Sequence, residues 1–122
     1  NIYLPLMVSR GITSETKKKA EKILNEMGLL ERKNHYPSEL SGGEQQRIAI
    51  ARALIKEPKI ILADEPTANL DSVSGIKIME TLKKLNKNNG ITIFVINHEK
   101  AFEKYFDRII LLKDGAIEKI KK

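Results

Sequence analysis

Ile60-Ile61-Leu62-Ala63-Asp64-Glu65-Pro66-Thr67 is the stretch that decides the fold. Four apolar residues without a polar interruption, followed at once by two carboxylates and a proline, read as a strand buried on both faces that leaves the core at its carboxyl end. Such strands belong to parallel sheets covered by helices, because a strand with one wet face alternates apolar and polar residues. The downstream segments agree. About Ser74 to Leu85 has the spacing of an amphipathic helix, with Ile76, Met79, Leu82 and Leu85 inward and Asn88-Asn89-Gly90 as its break. Ile91 to Ile96 is a second apolar, β-branched strand. A short helix fits Lys100 to Tyr105, a third strand Arg108 to Leu112, and Asp114-Gly115 supplies a two-residue hairpin turn into Ala116 to Ile120. Strands alternating with helices predict a parallel α/β sheet.

Upstream of Pro58 no convincing strand pattern appears. Residues 14 to 27 read as an amphipathic helix, with Ala20, Ile23, Leu24 and Met27 on one face and Gly28 as its stop. Leu29 to Leu40 is a polar connection carrying Pro37, and a second helix runs from Ser41 to about Ile55. The chain is therefore expected to divide into an all-helical front, residues 1–57, and an α/β back, residues 58–122.

Composition narrows the function classes. At 41% hydrophobic and 31% charged residues, the 122-residue chain is neither a disordered tail nor a fibrous protein. No apolar run approaches the roughly 18 residues of a membrane span. Cysteine is absent, which excludes a disulfide scaffold and a thiolate zinc site, and two histidines, His35 and His98, are too few for a histidine-rich metal site. The formal charge of +6 is spread along the chain: 11 basic and 7 acidic residues to residue 59, 11 and 9 after it. Lys17-Lys18-Lys19 lies beside Glu15 and Glu21 in a helical pattern and aromatic residues are 5%, so a solvated helix face is expected and no nucleic-acid partner. The chain opens at Asn1 without methionine or a basic-then-apolar leader and runs straight into Ile-Tyr-Leu-Pro-Leu, which reads as the middle of a longer protein.

Three places carry chemistry. In Leu40-Ser41-Gly42-Gly43-Glu44-Gln45-Gln46-Arg47, two adjacent glycines at a helix start let a ligand approach the backbone, where free N–H groups and the positive dipole end favour a phosphate. Ser41 and Glu44 equally fit a capping box that does no more than start the helix. At the end of the apolar strand, Asp64 is placed to hold a hard cation such as Mg²⁺ and Glu65 to polarise a water as general base; the bland alternative is a strand leaving the core at its first charges. His98, after the next strand, can donate to a phosphate oxygen or serve as a structural residue. His35 reads as an ordinary loop residue. Between them lies Ala68-Asn69-Leu70-Asp71, whose Asp71 fits a helix cap.

In that order the motifs resemble the nucleotide-binding domain of ABC transporters, over about Ile2 to Ile120. Ser41 to Gln45 is similar to the signature motif, Ile60 to Glu65 to the Walker B strand, Ala68 to Asp71 to the D-loop and His98 to the switch histidine. Asn1 to Leu6 resembles the segment after the Q-loop in the lipoprotein-release and macrolide-export subgroup. The resemblance implies part of a P-loop NTPase-type parallel sheet, with residues 58–122 as the second part of a RecA-like core behind a helical signature subdomain. It implies ATP and Mg²⁺ as cofactors, bound between two such domains head to tail. Ser41, Gly42 and Gly43 would touch the γ-phosphate of ATP held by the partner domain, with Glu44 and Gln45 completing that binding motif. Asp64 would serve Mg²⁺, Glu65 the attacking water and His98 the γ-phosphate, while Asp71 would act across the dimer. The implied partners are a second nucleotide-binding domain and a membrane permease, placing the protein at the inner face of the cell membrane.

The sequence departs from the family's pattern. None of its seven glycines is followed five residues later by another, so it has no G-x-x-x-x-G-K-[ST] phosphate cradle. The Q-loop glutamine and the adenine-stacking aromatic are also missing. The chain alone is therefore expected to bind ATP weakly or not at all and to hydrolyse none. Two alternatives stand beside a transporter ATPase: an ATPase head of the chromosome-maintenance or break-repair type, and a half-domain that catalyses nothing.

Overall fold

The computed structural model describes residues 12–122; Asn1 to Leu6 lies outside the described residues. Among the described residues three α-helices and four strands follow one another: α1 (Ser14–Glu26), α2 (Gly42–Leu54), β1 (Ile60–Asp64), α3 (Ser72–Asn89), β2 (Thr92–Ile96), β3 (Ile109–Lys113) and β4 (Ala116–Lys121). Short 3₁₀ turns at Leu30–Arg32, Pro37–Glu39 and Lys100–Tyr105 fill the connections. Each helix starts on a side-chain cap. Thr13 and Thr16 bond reciprocally at α1, Ser41 and Glu44 at α2, and Asp71 accepts from the Ser74 N–H at α3. Gly90, at φ 65°, ends α3 in the left-handed conformation that glycine adopts without a Cβ penalty.

β1 and β2 pair in parallel, with Ile60 opposite Thr92 and Asp64 opposite Ile96, and α3 is the crossover between them. β3 and β4 form an antiparallel hairpin whose turn residues Asp114 and Gly115 both have positive φ, as a two-residue turn between right-twisted strands demands. A register shift falls between Leu111 and Leu112. One cluster of buried side chains runs through the molecule: Ile23 and Leu24 of α1, Ile50 and Leu54 of α2, Ile61 of β1, Ile78 and Leu82 of α3, and Phe102. No helix among the described residues is long and apolar enough to cross a membrane.

Three expectations are corrected. The apolar strands are covered on one face only: Ile61 is 7% exposed, whereas Leu62 is 78% and Phe94 56% exposed. α3 packs against one side of the β1–β2 pair, and no second layer lies on the other among the described residues. Ile76 does not point inward either. The buried stripe runs Gly75, Ile78, Met79, Leu82, Leu85, and Ile76 falls beside it. The helix also continues through Asn88 and Asn89 to Gly90.

One-sided burial sets a mutational contrast. Ile78→Ala is expected to lower unfolding stability by about 2–5 kcal/mol, and Leu62→Ser to change it by no more than about 0.5 kcal/mol. Urea denaturation of the two variants checks this, and equal losses would contradict it.

Candidate functional site

Because Asp64 ends opposite Ile96, the segments that follow β1 and β2 emerge at the same carboxyl edge. Glu65 extends the pairing by one bond, its N–H donating to the Ile96 carbonyl at 3.0 Å. Its φ of 42° lies in the left-handed region, which costs a residue with a Cβ roughly 1–2 kcal/mol. Strain of that size persists where the surrounding structure over-determines it, and such positions cluster at functional sites. From there the Glu65 carboxylate reaches His98: Oε1 lies 3.3 Å from Nδ1, with the two side chains 51% and 73% exposed. With its proton on Nδ1, His98 donates to Glu65 and leaves Nε2 free to face outward.

Asp64 is exposed at the end of β1, and its carboxylate makes no hydrogen bond or ion pair among the described residues. No cluster of three or more potential metal ligands occurs there either. A cation at Asp64 would therefore take its remaining oxygens from water and from whatever ligand it accompanies, which is how Mg²⁺ is usually held.

After Glu65 the chain turns twice. The Ala68 N–H donates to the Glu65 carbonyl at 3.0 Å and the Leu70 N–H to that of Thr67 at 3.2 Å. The turn delivers Asp71, whose Oδ1 accepts the Ser74 N–H at 3.0 Å. The Ser74 hydroxyl and N–H hold the Asp71 carboxyl below the usual aspartate range.

The start of α2 forms the second half of the site. Ser41 Oγ accepts the Glu44 N–H at 3.3 Å and Glu44 Oε2 accepts the Ser41 N–H at 2.9 Å. Arg32 Nε donates to Glu44 Oε1 at 3.1 Å, and its Nη1 lies 3.4 Å from His35 Nε2. The Ser41 N–H, then its hydroxyl and Arg32, hold the Glu44 carboxyl below the usual glutamate range. Gln45 donates Nε2 to the carbonyls of Pro37 and Leu40, each at 3.0 Å. The capping box thus forms, and the amide of Gln45 fastens the preceding turn. The glycines have an internal reason as well. A Cβ on Gly42 would stand 3.3 Å from Leu70 Cδ2, and one on Gly43 3.3 Å from Ser74 Cβ and Oγ. Their absence lets α2 seat against the loop that ends in Asp71.

The structure thus brings Glu65 and His98 into contact and seats Gly42 and Gly43 against the Leu70–Ser74 segment. No hydrogen bond or ion pair joins these two groups among the described residues. The sequence reading missed Thr67, which is 5% exposed and donates Oγ1 to Glu99 Oε1 at 3.2 Å. Two ordinary loop residues 32 positions apart carried no signal of that bond.

A family model described as ABC transporter matches residues 4–68, more than half of the chain. The chain belongs to the ABC transporter family. It is 53% identical, over 98% of its length, to the uncharacterized ABC transporter ATP-binding protein MJ1508 of Methanocaldococcus jannaschii, and covers 53% of that protein. It is 47% identical over 96% of its length to the lipoprotein-releasing system ATP-binding protein LolD of Syntrophus aciditrophicus, covering 52% of it. The dimeric, ADP- and Pi-bound post-hydrolysis structure of the ATP-binding cassette MJ0796, also from M. jannaschii, superposes with a TM-score of 0.80 at 48% identity, over 99% of this chain and 54% of that one. The chain spans about half the length of these relatives, and its sequence is that of the family's ATP-binding domain. They give the chromosome-maintenance alternative no support.

The caps lead to two expectations. Ser41→Ala is expected to cost about 1 kcal/mol of stability in urea denaturation, since the Glu44 N–H loses its hydroxyl acceptor. Both Glu44 and Asp71 have lowered folded-state pKa values, so the stability they add is present above the ordinary carboxylate range and is lost as pH falls through the lowered values. Denaturation midpoints taken between about pH 7 and about pH 3 should fall with acid, and less so in Glu44→Gln.

Proposed function

We propose that this chain is the part of a transporter's ATP-binding subunit that holds the hydrolytic carboxylate of one site and the phosphate-facing helix start of another. The observation that carries the reading is the Glu65–His98 contact of 3.3 Å at the common carboxyl edge of β1 and β2. Glu65 then accepts a proton from the attacking water, its bond to Nδ1 orients the His98 ring, and with both ring nitrogens protonated Nε2 donates to the γ-phosphate. Asp64 would hold Mg²⁺ through its exposed carboxylate, and the ion would supply charge neutralisation on the phosphates. Ser41, Gly42 and Gly43 present a hydroxyl and helix-start N–H groups to ATP cradled by the partner domain, with Glu44 and Gln45 fixing their shape. Asp71, seated beside them, links the two sites. In phosphoryl transfer most of the acceleration comes from such positioning and electrostatics.

The working unit in this reading is a dimer of ATP-binding subunits. Residues 1–57 receive a membrane permease, residues 58–122 form the second part of the RecA-like core, and the assembly sits on the inner face of the membrane. The lipoprotein-releasing relative supports export as the direction of transport. The chain by itself, lacking the G-x-x-x-x-G-K-[ST] cradle, turns over no ATP.

A chimera tests the reading. Residues 1–122 replace the matching half of the archaeal cassette MJ0796, and steady-state ATP hydrolysis is measured. The chimera is expected to hydrolyse ATP, Glu65→Gln to slow it at least about 10²-fold, and the isolated chain to show no multiple turnovers. A folded Glu65→Gln chimera with unreduced turnover would contradict the role of Glu65.

A further inference from the structure

Beyond the ladder bond from the Glu65 N–H to Ile96, no backbone hydrogen bond joins the loop after β1 to the loop after β2 among the described residues. Two side-chain contacts span the gap: Glu65 with His98, and Thr67 with Glu99. The first is an exposed pair, and exposed ion pairs contribute little to holding a structure together. The second starts from a buried hydroxyl. Thr67 is the one buried polar residue of the described core, and its Oγ1 donates to Glu99 Oε1 at 3.2 Å. Without that acceptor a buried hydroxyl stands unpaired, which makes the bond costly to break.

Both ends of this tie are fixed. The Thr67 methyl, Cγ2, lies 3.6 Å from where a Cβ on Gly75 would stand, and Phe102 Cζ lies 3.2 Å from the same point. Thr67 therefore rests on the first turn of α3 and cannot shift without disturbing the core. At the other end the Glu99 N–H donates to Asn97 Oδ1 at 3.1 Å, while Asn97 Nδ2 donates to the Glu99 carbonyl at 2.9 Å. These reciprocal bonds close a small ring around His98, the residue between them. On the near side, the Ala68 N–H to Glu65 carbonyl bond makes Thr67 part of the same turn as Glu65.

We infer that Thr67 and Glu99 are positioning residues: their bond latches the Asn97–Glu99 loop onto the Glu65–Ala68 turn and so sets the contact between His98 and Glu65. The functional meaning of the latch rests on the reading of Glu65 and His98 as the reactive pair, but its geometry does not.

The test follows the His98 ring by NMR in the chain at fixed pH, with Glu65→Gln as the perturbation. In the parent, Glu65→Gln is expected to shift the ring resonances. In Thr67→Val and Glu99→Ala backgrounds most of that response should be lost, while the amide spectrum of the helices stays in place. Thr67→Ser keeps the donor and Glu99→Gln the acceptor, so both should retain the response. Combining Thr67→Val with Glu99→Ala should add nothing to either alone. A full response of His98 in both Thr67→Val and Glu99→Ala would overturn the latch. Turnover of the chimera reads the chemistry separately. A decoupled His98 with unchanged hydrolysis would sink the catalytic role of the pair and leave the latch standing; a His98 that stays coupled in these variants would do the reverse.

Discussion

The parallel pairing of Ile60–Asp64 with Thr92–Ile96 is the constraint on which the rest depends. A parallel pair needs a crossover, and α3 provides it, burying Ile78, Met79, Leu82 and Leu85. Because the two strands end in register, their following loops must leave at one edge. That edge is where Glu65 meets His98 and where Asp64 stands exposed. A shift of register by one residue would turn the inward Ile61 to solvent and separate the two loops. Packing and chemistry are thus set by one ladder, with the hydrophobic cluster specifying its register.

The start of α2 is attached to this frame through absent atoms. Gly42 and Gly43 admit Leu70 and Ser74 to distances at which a Cβ would be crowded, so α2 and the Asp71 cap form one packed unit. The capping box and a phosphate site need not compete here. The box engages the hydroxyl oxygen of Ser41 as an acceptor, which leaves its hydrogen free to donate. The same residues that start the helix can therefore present it to a nucleotide.

Much of this was legible in the sequence, for local reasons. The apolar run at Ile60–Ala63, the helical stripe before Gly90 and the Asp114-Gly115 turn each depend on neighbours a few residues away, and each lies where the pattern put it. The cap on α3 at Asp71 was readable as well. One-sided burial of the sheet was not, because an unbroken apolar run looks the same whether both covering layers are present or one. Ile76 was misplaced because spacings of three drift around a helix of about 3.6 residues per turn, which carries Ile76 to the side opposite Leu85. The Thr67–Glu99 bond was invisible for a different reason. It joins residues that are unremarkable singly and meet only once β1 and β2 have paired. Which of the candidate side chains touch was not legible at all.

The central claim is that this chain holds phosphate-facing groups for a nucleotide that another stretch of polypeptide cradles. Calorimetric titration of the isolated chain with Mg–ATP addresses it most directly. Exposed carboxylates and a single helix start, without a cradle, should give no saturation up to about 1 mM nucleotide. A stoichiometric site with a Kd near about 1 μM would contradict the account, because the chain would then contain a complete nucleotide site of its own.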